Sequence, residues 1–168
     1  MAVEIERKFR LLDDSWRDQV LRKTLLRQGY IANTARASVR VRLAGASGWL
    51  SVKAMTRGLS RAEYEAAIPA ADANEMLDRL CEGPLIEKWR HIVLYQGSEW
   101  EIDEFLGENA GLVIAELELQ AEDAVFARPP WLGVEVTHDE RYYNFRLSEK
   151  PFRHWPENLQ ATRSAWGR

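Results

Sequence analysis

The first strand of the chain constrains the fold most strongly, because it separates charged from apolar side chains. Side chains on a strand point to alternate faces, so Glu4, Glu6 and Lys8 share one face while Ile5 and Phe9 lie on the other. A single strand of this kind is typical of an antiparallel sheet with one face in water. The pattern becomes informative because it returns along most of the chain.

The later strands repeat this alternation, and their polar faces hold little besides charge. From Ser38 to Leu43 apolar and basic positions alternate, and a Gly-Ala-Ser-Gly turn leads to a return strand from Trp49 to Ala54. The charges that share strand faces in this way are Glu4, Glu6 and Lys8; Arg40 and Arg42; Lys53; Arg61, Glu63 and Glu65; Lys88 and Arg90; Glu101 and Asp103; and Glu116 and Glu118. Each strand tends toward a single sign of charge.

Several hairpin-linked antiparallel strands with this patterning favour a closed β-barrel whose apolar outside is partly covered by helices, an α+β fold. A helix is predicted from Asp72 to about Cys81, because its apolar residues recur at helical spacing. The same reasoning predicts an earlier helix from about Asp14 to Lys23. The stretch from Asp139 to Leu147 is also a candidate helix.

In a closed barrel the charged faces would point inward. A dry interior could not hold so many ions, because even paired buried charges carry a desolvation cost of several kcal/mol each. The interior would therefore be wet and would hold a polyvalent partner. Clustered carboxylates suit a hard cation such as Mg²⁺ or Mn²⁺, and Arg and Lys side chains suit an anion with many oxygens. Together they describe a site for a metal-chelated polyphosphate.

The length and composition exclude several other classes of protein. A chain of 168 residues without an internal linker predicts one domain over residues 1–168, with a C-terminal helix or tail over 148–168. No apolar run is long enough to cross a bilayer, and Glu4 and Glu6 are incompatible with a signal peptide. Cys81 is the only cysteine, and the net charge of −3 does not indicate a nucleic-acid or membrane partner. We therefore expect a cytoplasmic protein.

The ordered motifs resemble those of the CYTH superfamily, also called triphosphate tunnel metalloenzymes. The opening Glu4-Ile5-Glu6-Arg7-Lys8 resembles the Glu-x-Glu-x-Lys signature of that family, and the resemblance extends to about Leu147. It implies an antiparallel barrel of about eight strands that binds triphosphates with a divalent metal ion. The length and the Gln28-Gly29-Tyr30 stretch are most similar to short bacterial members, which favour inorganic tripolyphosphate. The later motifs in family order are Arg40-x-Arg42, Lys53, Arg61-x-Glu63-x-Glu65, Lys88-x-Arg90, Glu101-x-Asp103, Glu116-x-Glu118 and the stretch Val136–Tyr142.

Chemistry assigns a role to each of these charges. The predicted metal ligands are Glu4, Glu6, Glu116 and Glu118, assisted by Asp103, Glu63 and Glu65. The predicted ligands of the phosphate oxygens are Lys8, Arg40, Arg42, Lys53, Lys88 and Arg90, with Arg61 as a weaker candidate. Lys88 and Tyr30 form a candidate catalytic dyad that orients the attacking water, because a Lys among cations has a lowered pKa. The alternative for Tyr30 is a packing role.

The leading functional prediction is metal-dependent hydrolysis of inorganic tripolyphosphate to pyrophosphate and phosphate. Two alternatives keep the fold and change the substrate or the reaction: a class IV adenylyl cyclase and a thiamine triphosphatase. A third alternative is a module that binds polyphosphate without turnover, although simple anion binding would not need so many carboxylates. The expected partner is a small-molecule triphosphate, and the sequence leaves open whether the protein is a monomer or a homodimer.

Overall fold

The computed structural model describes residues 2–55 and 60–156, which form nine strands of one antiparallel sheet and two α-helices. Short 3-10 turns occupy Ser15–Gln19, Gly107–Asn109, Glu140–Tyr142 and Phe152–His154. The strands are β1 (Ala2–Leu11), β2 (Val20–Asn33), β3 (Ala37–Ala44), β4 (Ser47–Ala54), β5 (Ser60–Ile68), β6 (Glu82–Tyr95), β7 (Ser98–Phe105), β8 (Val113–Glu118) and β9 (Leu132–Glu135). The helices are α1 (Ala70–Arg79) and α2 (Asn144–Glu149).

Eight of these strands close into a barrel. They follow the order β5-β4-β3-β2-β6-β7-β8-β1, and β1 then pairs with β5 to complete the circle. The closing register sets Glu4 opposite Arg61, while on its other edge β1 sets Lys8 opposite Glu116. Strand β9 pairs with the end of β1 beyond the part that contacts β5. The predicted fold, a closed antiparallel barrel of about eight strands with helices outside, is confirmed.

The register places the charged faces of neighbouring strands side by side. Arg42 on β3 lies opposite Gln28 on β2, and Lys53 on β4 lies opposite Glu63 on β5. Because a register slip of one residue would move each charged set to the other face, these pairings decide which side chains point into the barrel. They are the charges that the alternating pattern grouped together.

Apolar side chains pack on the outer face of the barrel. On one side Phe9, Trp100 and Ile102 form a buried cluster that is completed by Trp16 and Trp131 from the connecting segments. On another side α1 covers β3 and β4. The helix lies so close that a Cβ atom added to Gly48 would come within 2.7 Å of the Cβ atom of Ala73. The outer face of the sheet is thus buried where this cluster and α1 cover it, while the inner face lines the barrel.

The C-terminal segment closes one end of the barrel. Ile86 and Phe105, on strands β6 and β7, form a buried cluster with Tyr142, Leu147 and Trp155 from the segment after β9. This cluster is apolar, in contrast to the charged barrel interior beside it. The prediction of a helix between Asp139 and Leu147 is thus met by a 3-10 turn followed by α2.

Three predictions from the sequence concern the first helix, the C-terminal segment and the number of domains. The helix predicted from Asp14 to Lys23 is wrong beyond Gln19, because strand β2 begins at Val20. Long pairing with β6 overrides the local helical spacing of the apolar residues. The predicted helix or tail over 148–168 lies mostly outside the described residues, which end with the 3-10 turn Phe152–His154 and the two residues after it. The single-domain assignment over 1–168 remains a prediction. In the described part of the chain, no helix is both long and apolar enough to cross a membrane.

Candidate active site

A cavity of about 240 Å³ lies inside the barrel, and we call it the barrel cavity. Of the residues predicted to form the site, all but Asp103 line it: Glu4, Glu6, Lys8, Tyr30, Arg40, Arg42, Lys53, Arg61, Glu63, Glu65, Lys88, Arg90, Glu116 and Glu118. The structure thus brings together the side chains that the sequence pattern grouped, while the individual roles assigned to them remain predictions.

One wall of the cavity combines the bases of β3 and β4 with acids from the closing seam of the barrel. Lys53 donates hydrogen bonds to both carboxylate oxygens of Glu4, at 2.7 and 3.0 Å. Arg40 lies 3.6 Å from Glu63, and the guanidinium of Arg42 lies 3.4 Å from Glu65. Burial raises the pKa of Glu63, and the neighbouring charge of Glu4 adds to this. The acids on this wall are therefore crowded as well as paired.

Several donors on the cavity wall remain unused. The buried Nε atoms of Arg40, Arg42 and Arg61 have no hydrogen-bond partner among the described residues, nor does the Nε2 atom of Gln28. Buried polar groups in folded proteins are nearly always hydrogen-bonded, so each unpaired donor calls for an explanation. Their common position on the lining of one cavity indicates a ligand that is rich in acceptor oxygens.

A second group of charges on the cavity lining is organised around Lys8. Its ammonium group donates to Glu6 at 2.5 Å and also contacts the carboxylate of Glu116. Burial alone would lower the pKa of Lys8, but Glu116 and Glu6 raise it above its usual value. Burial likewise opposes the charged form of Glu116, whose pKa is nevertheless held well below its usual range by Lys8, Lys88 and Arg90. Both groups are therefore charged at neutral pH.

Asp103 lies in the barrel wall rather than on the cavity lining, so its position differs from that of the other predicted metal ligands. Its carboxylate accepts two hydrogen bonds from Arg90, both at 2.7 Å, and also contacts the ammonium group of Lys88. With both oxygens engaged by bases, Asp103 holds Lys88 and Arg90 in place at the cavity. Its predicted role as a metal ligand remains untested.

The predicted dyad residues, Lys88 and Tyr30, both line the cavity. Burial lowers the pKa of Lys88, and the adjacent charge of Arg90 acts in the same direction. Burial raises the pKa of Tyr30 to about 12, so its hydroxyl stays protonated at neutral pH. Two residues at the start of α2 reach the pair: Asn144 accepts a hydrogen bond from Lys88 at 3.5 Å, and the ring of Phe145 meets that of Tyr30 edge-on.

Among the described residues, seven that line the cavity were not among the predicted site residues: Gln28, Ser38, Met55, Glu101, Tyr143, Asn144 and Phe145. The signal for Glu101 was present, since it shares a strand face with Asp103, but only Asp103 was predicted as a ligand. Burial raises the pKa of Glu101 to about 7, and the charges of Glu116 and Asp103 add to this. Asn144 carried no such signal, because α2 approaches the cavity from outside the strand pattern.

The acidic side chains suit a divalent cation by their chemistry, although their present geometry does not form a coordination shell. Over residues 2–55 and 60–156, no three His, Cys, Asp or Glu side chains are arranged to hold a metal ion. The lining carboxylates are instead engaged by bases, as Glu4 is by Lys53 and Glu6 is by Lys8. Carboxylate oxygens are the ligands that Mg²⁺ and Mn²⁺ prefer. Burial raises the pKa of Glu101, the charges of Glu116 and Asp103 add to this, and a nearby cation would favour the ionised form.

The described strands thus form a closed antiparallel barrel whose cavity is lined by both bases and carboxylates. The chain belongs to the CYTH domain family, whose model matches residues 2–148. It is 49% identical over 157 residues to an inorganic triphosphatase of Acetivibrio thermocellus, covering 94% of this chain and 100% of that protein. It is 40% identical over 149 residues to an inorganic triphosphatase of Nitrosomonas europaea, covering 86% and 96%.

Solved structures agree with this assignment. The crystal structure of the inorganic triphosphatase NE1496 is similar with a TM-score of 0.65 and 37% identity, covering 88% of this chain and 95% of that one. A putative adenylyl cyclase from Hippeastrum, HpAC1, is similar with a TM-score of 0.55 and covers 72% of this chain and 80% of its own. Its identity is 17%, so this likeness concerns the fold alone.

Proposed function

We propose that this protein hydrolyses inorganic triphosphate to pyrophosphate and phosphate inside the barrel cavity, with the help of a divalent metal ion. Two relatives that are 49% and 40% identical are inorganic triphosphatases, and each alignment covers nearly the whole of both chains. Activity on a small-molecule triphosphate and dependence on a metal ion are the properties that this kinship supports most directly.

The observation that carries the proposal is the set of unused donors in the cavity. The Nε atoms of Arg40, Arg42 and Arg61 are buried and lack partners among the described residues. Together with Lys8 and Lys53, these guanidinium groups line a cavity of about 240 Å³. An inorganic triphosphate has many charged oxygens and no other groups to accommodate, so it suits a narrow cavity whose free groups are charged donors.

The predicted ligands of the cation are Glu4, Glu6, Glu116 and Glu118. Lys8 binds Glu6 and Glu116 at present, so it would release at least one of them to bind phosphate oxygens instead. A bound divalent cation neutralises charge on the triphosphate oxygens and on the leaving pyrophosphate. Mg²⁺ and Mn²⁺ are the ions that carboxylate ligands favour among those expected in a cell.

The bases of the cavity would position the triphosphate for attack by water. The water oxygen forms a bond to a terminal phosphorus, the bridging P–O bond breaks, and pyrophosphate leaves. The ammonium group of Lys88, which Asp103 holds at the cavity, would orient the attacking water, and the proton that the water loses would pass to the leaving pyrophosphate. Because Tyr30 keeps its own proton at neutral pH, it would act as a hydrogen-bond donor.

Finer properties belong to the same proposal. We expect Mg²⁺ or Mn²⁺ as the ion, a cytoplasmic location and no nucleic-acid or membrane partner. A monomer and a homodimer both remain compatible with the sequence. These expectations follow from the charge balance and from the acidic N-terminal strand.

A panel of substrates tests the proposal against its alternatives. Phosphate release would be measured from tripolyphosphate, ATP, thiamine triphosphate and pyrophosphate with Mg²⁺, Mn²⁺ or EDTA, and cyclic AMP would be measured with ATP. We expect metal-dependent turnover concentrated on tripolyphosphate. Cyclic AMP formation would instead identify an adenylyl cyclase, and preferential turnover of thiamine triphosphate would identify a thiamine triphosphatase. Tight binding without turnover would support a binding module.

Two variants tie the activity to the site. Glu6→Ala removes a carboxylate from the cavity, while Glu122→Ala removes an exposed carboxylate that lies outside the lining. The proposal expects turnover to fall about 100-fold or more in Glu6→Ala and to remain unchanged in Glu122→Ala. Equal activity in the two variants would place the reaction elsewhere.

A further inference from the structure

Among the described residues of strand β2, Gln28 is the only one with an amide side chain that lines the barrel cavity. This amide group is not fully hydrogen-bonded by the surrounding protein. The side chain is 1% exposed and lines the cavity, yet its Nε2 group has no hydrogen-bond partner in the described structure. Burial of an unpaired amide is unfavourable. An apolar residue of similar size would avoid that cost, so the amide group itself needs a reason to be there.

The position of Gln28 indicates what it would contact. Its partner across β2 and β3 is Arg42, and Tyr30 and Arg40 form the next pair that faces the same way. Directly opposite residues on neighbouring strands have Cβ atoms within about 5.5 Å of each other. Gln28 and Arg42 therefore lie side by side on the cavity lining, and each has a buried donor without a partner among the described residues.

We propose that Gln28 is a substrate-binding residue whose side-chain amide donates a hydrogen bond to an oxygen of the bound triphosphate. The inference rests on the proposed function, because it takes inorganic triphosphate as the ligand. A neutral donor differs from the surrounding Arg and Lys groups in that no carboxylate competes strongly for it. Gln28 thus stays available while its charged neighbours are engaged in ion pairs such as that of Arg42 with Glu65.

The first test substitutes Gln28→Met, which keeps an unbranched side chain of similar length and removes the donor. Without ligand, the melting temperature of the variant should be at most about 2 °C below that of wild type, because the substitution removes no hydrogen bond of Nε2. Its affinity for tripolyphosphate, measured by calorimetry in EDTA, should fall about tenfold or more. Its KM in the metal-dependent reaction should rise in parallel.

Two further variants keep the test decisive. Gln19→Met makes the same chemical change at an exposed position and should leave the melting temperature, affinity and KM unchanged. Gln28→Glu keeps the shape but replaces the donor with a carboxylate, so it should bind tripolyphosphate more weakly than Gln28→Met does. Because Gln28→Glu keeps the shape of the side chain, a change of shape cannot explain a loss of affinity in this variant.

The outcomes separate this inference from the proposed function. If wild type binds and hydrolyses tripolyphosphate while Gln28→Met binds it equally well, the assignment of Gln28 is wrong and the proposed function stands. A lower melting temperature in Gln28→Met with unchanged affinity would likewise show a structural role only. If wild type neither binds nor hydrolyses tripolyphosphate, the proposed function fails and the inference fails with it.

Discussion

The ammonium group of Lys88 contacts the carboxylate of Asp103 within the barrel wall, where the two side chains are 1% and 0% exposed. Burial disfavours the charged form of Asp103, but Arg90 and Lys88 lower its pKa below the usual value. The pair is therefore ionised, and each partner depends on the other for compensation of its charge. This arrangement fixes Lys88, which is predicted to orient the attacking water, at the edge of the cavity.

Replacement Asp103→Asn should destabilise the fold by about 3 kcal/mol, because it leaves Lys88 and Arg90 buried without their shared counter-charge. The free energy of unfolding would be measured with a chemical denaturant. The control Asp123→Asn makes the same change at an exposed position and should have no effect. An equally small effect in both variants would contradict the structural role of the ion pair.

Replacement Tyr30→Phe should reduce kcat for tripolyphosphate by about tenfold while leaving the pH profile in place. The hydroxyl is protonated over the working range, since burial raises the pKa of Tyr30 to about 12, so it can contribute only as a hydrogen-bond donor. Initial rates from pH 6 to about pH 9 would be compared with those of Tyr64→Phe, which lies on the surface. Unchanged kcat would leave Tyr30 with the packing role against Phe145.

How much of this site the sequence could reveal is shown by β3 and β7. Strand β3 alternates strictly, so Arg40 and Arg42 could be placed on one face and the closed barrel could be predicted. Strand β7 offered Glu101 and Asp103 on the same face, but periodicity cannot tell which carboxylate reaches the cavity. That distinction depends on Lys88 and Arg90, which engage both oxygens of Asp103.

Contacts made by segments without a regular pattern could not be predicted. Asn144 reaches Lys88 because the chain after β9 folds back over one end of the barrel, and no spacing in the sequence indicates that return. The early helix was wrongly extended to Lys23 for a related reason. Its apolar spacing fits a helix, whereas the pairing of β2 with the distant β6 decides the outcome.

Stability should depend on pH through His91, which lies outside the cavity. Burial lowers the pKa of His91, although a hydrogen bond with Glu104 partly opposes this shift. Because the folded pKa lies below the unfolded value of 6.5, the unfolded chain binds the proton more readily. The contribution of neutral His91 to the free energy of unfolding is therefore complete above pH 6.5 and is lost as the pH falls through the lower pKa of the folded state.

This dependence can be measured as the difference in melting temperature between pH 7.5 and about pH 5.5. The variant His91→Gln has no titratable group at that position, so the difference should become smaller than in wild type. The exposed His154 provides the control, and His154→Gln should behave as wild type does. An undiminished difference in His91→Gln would exclude His91 as the source.

Removal of divalent cations should separate activity from folding. Lys8 and Lys53 compensate neighbouring acids of strand β1 on the cavity lining, so we expect the barrel to keep its shape without a cation. Dialysis against EDTA should abolish turnover and change the melting temperature by less than about 3 °C. Addition of Mg²⁺ or Mn²⁺ should restore turnover. Unfolding in EDTA would show that the ion is structural.

The most direct test of the account is to follow tripolyphosphate by ³¹P nuclear magnetic resonance in the presence of the protein and Mg²⁺. Because paramagnetic Mn²⁺ broadens these signals, the products of a parallel reaction with Mn²⁺ would be separated by ion-exchange chromatography. Hydrolysis within the barrel cavity predicts that the signals of tripolyphosphate disappear and that pyrophosphate and phosphate appear in equal amounts. The same sample with EDTA should remain unchanged. Tripolyphosphate that persists with both metals would contradict the proposal that this barrel is a triphosphatase.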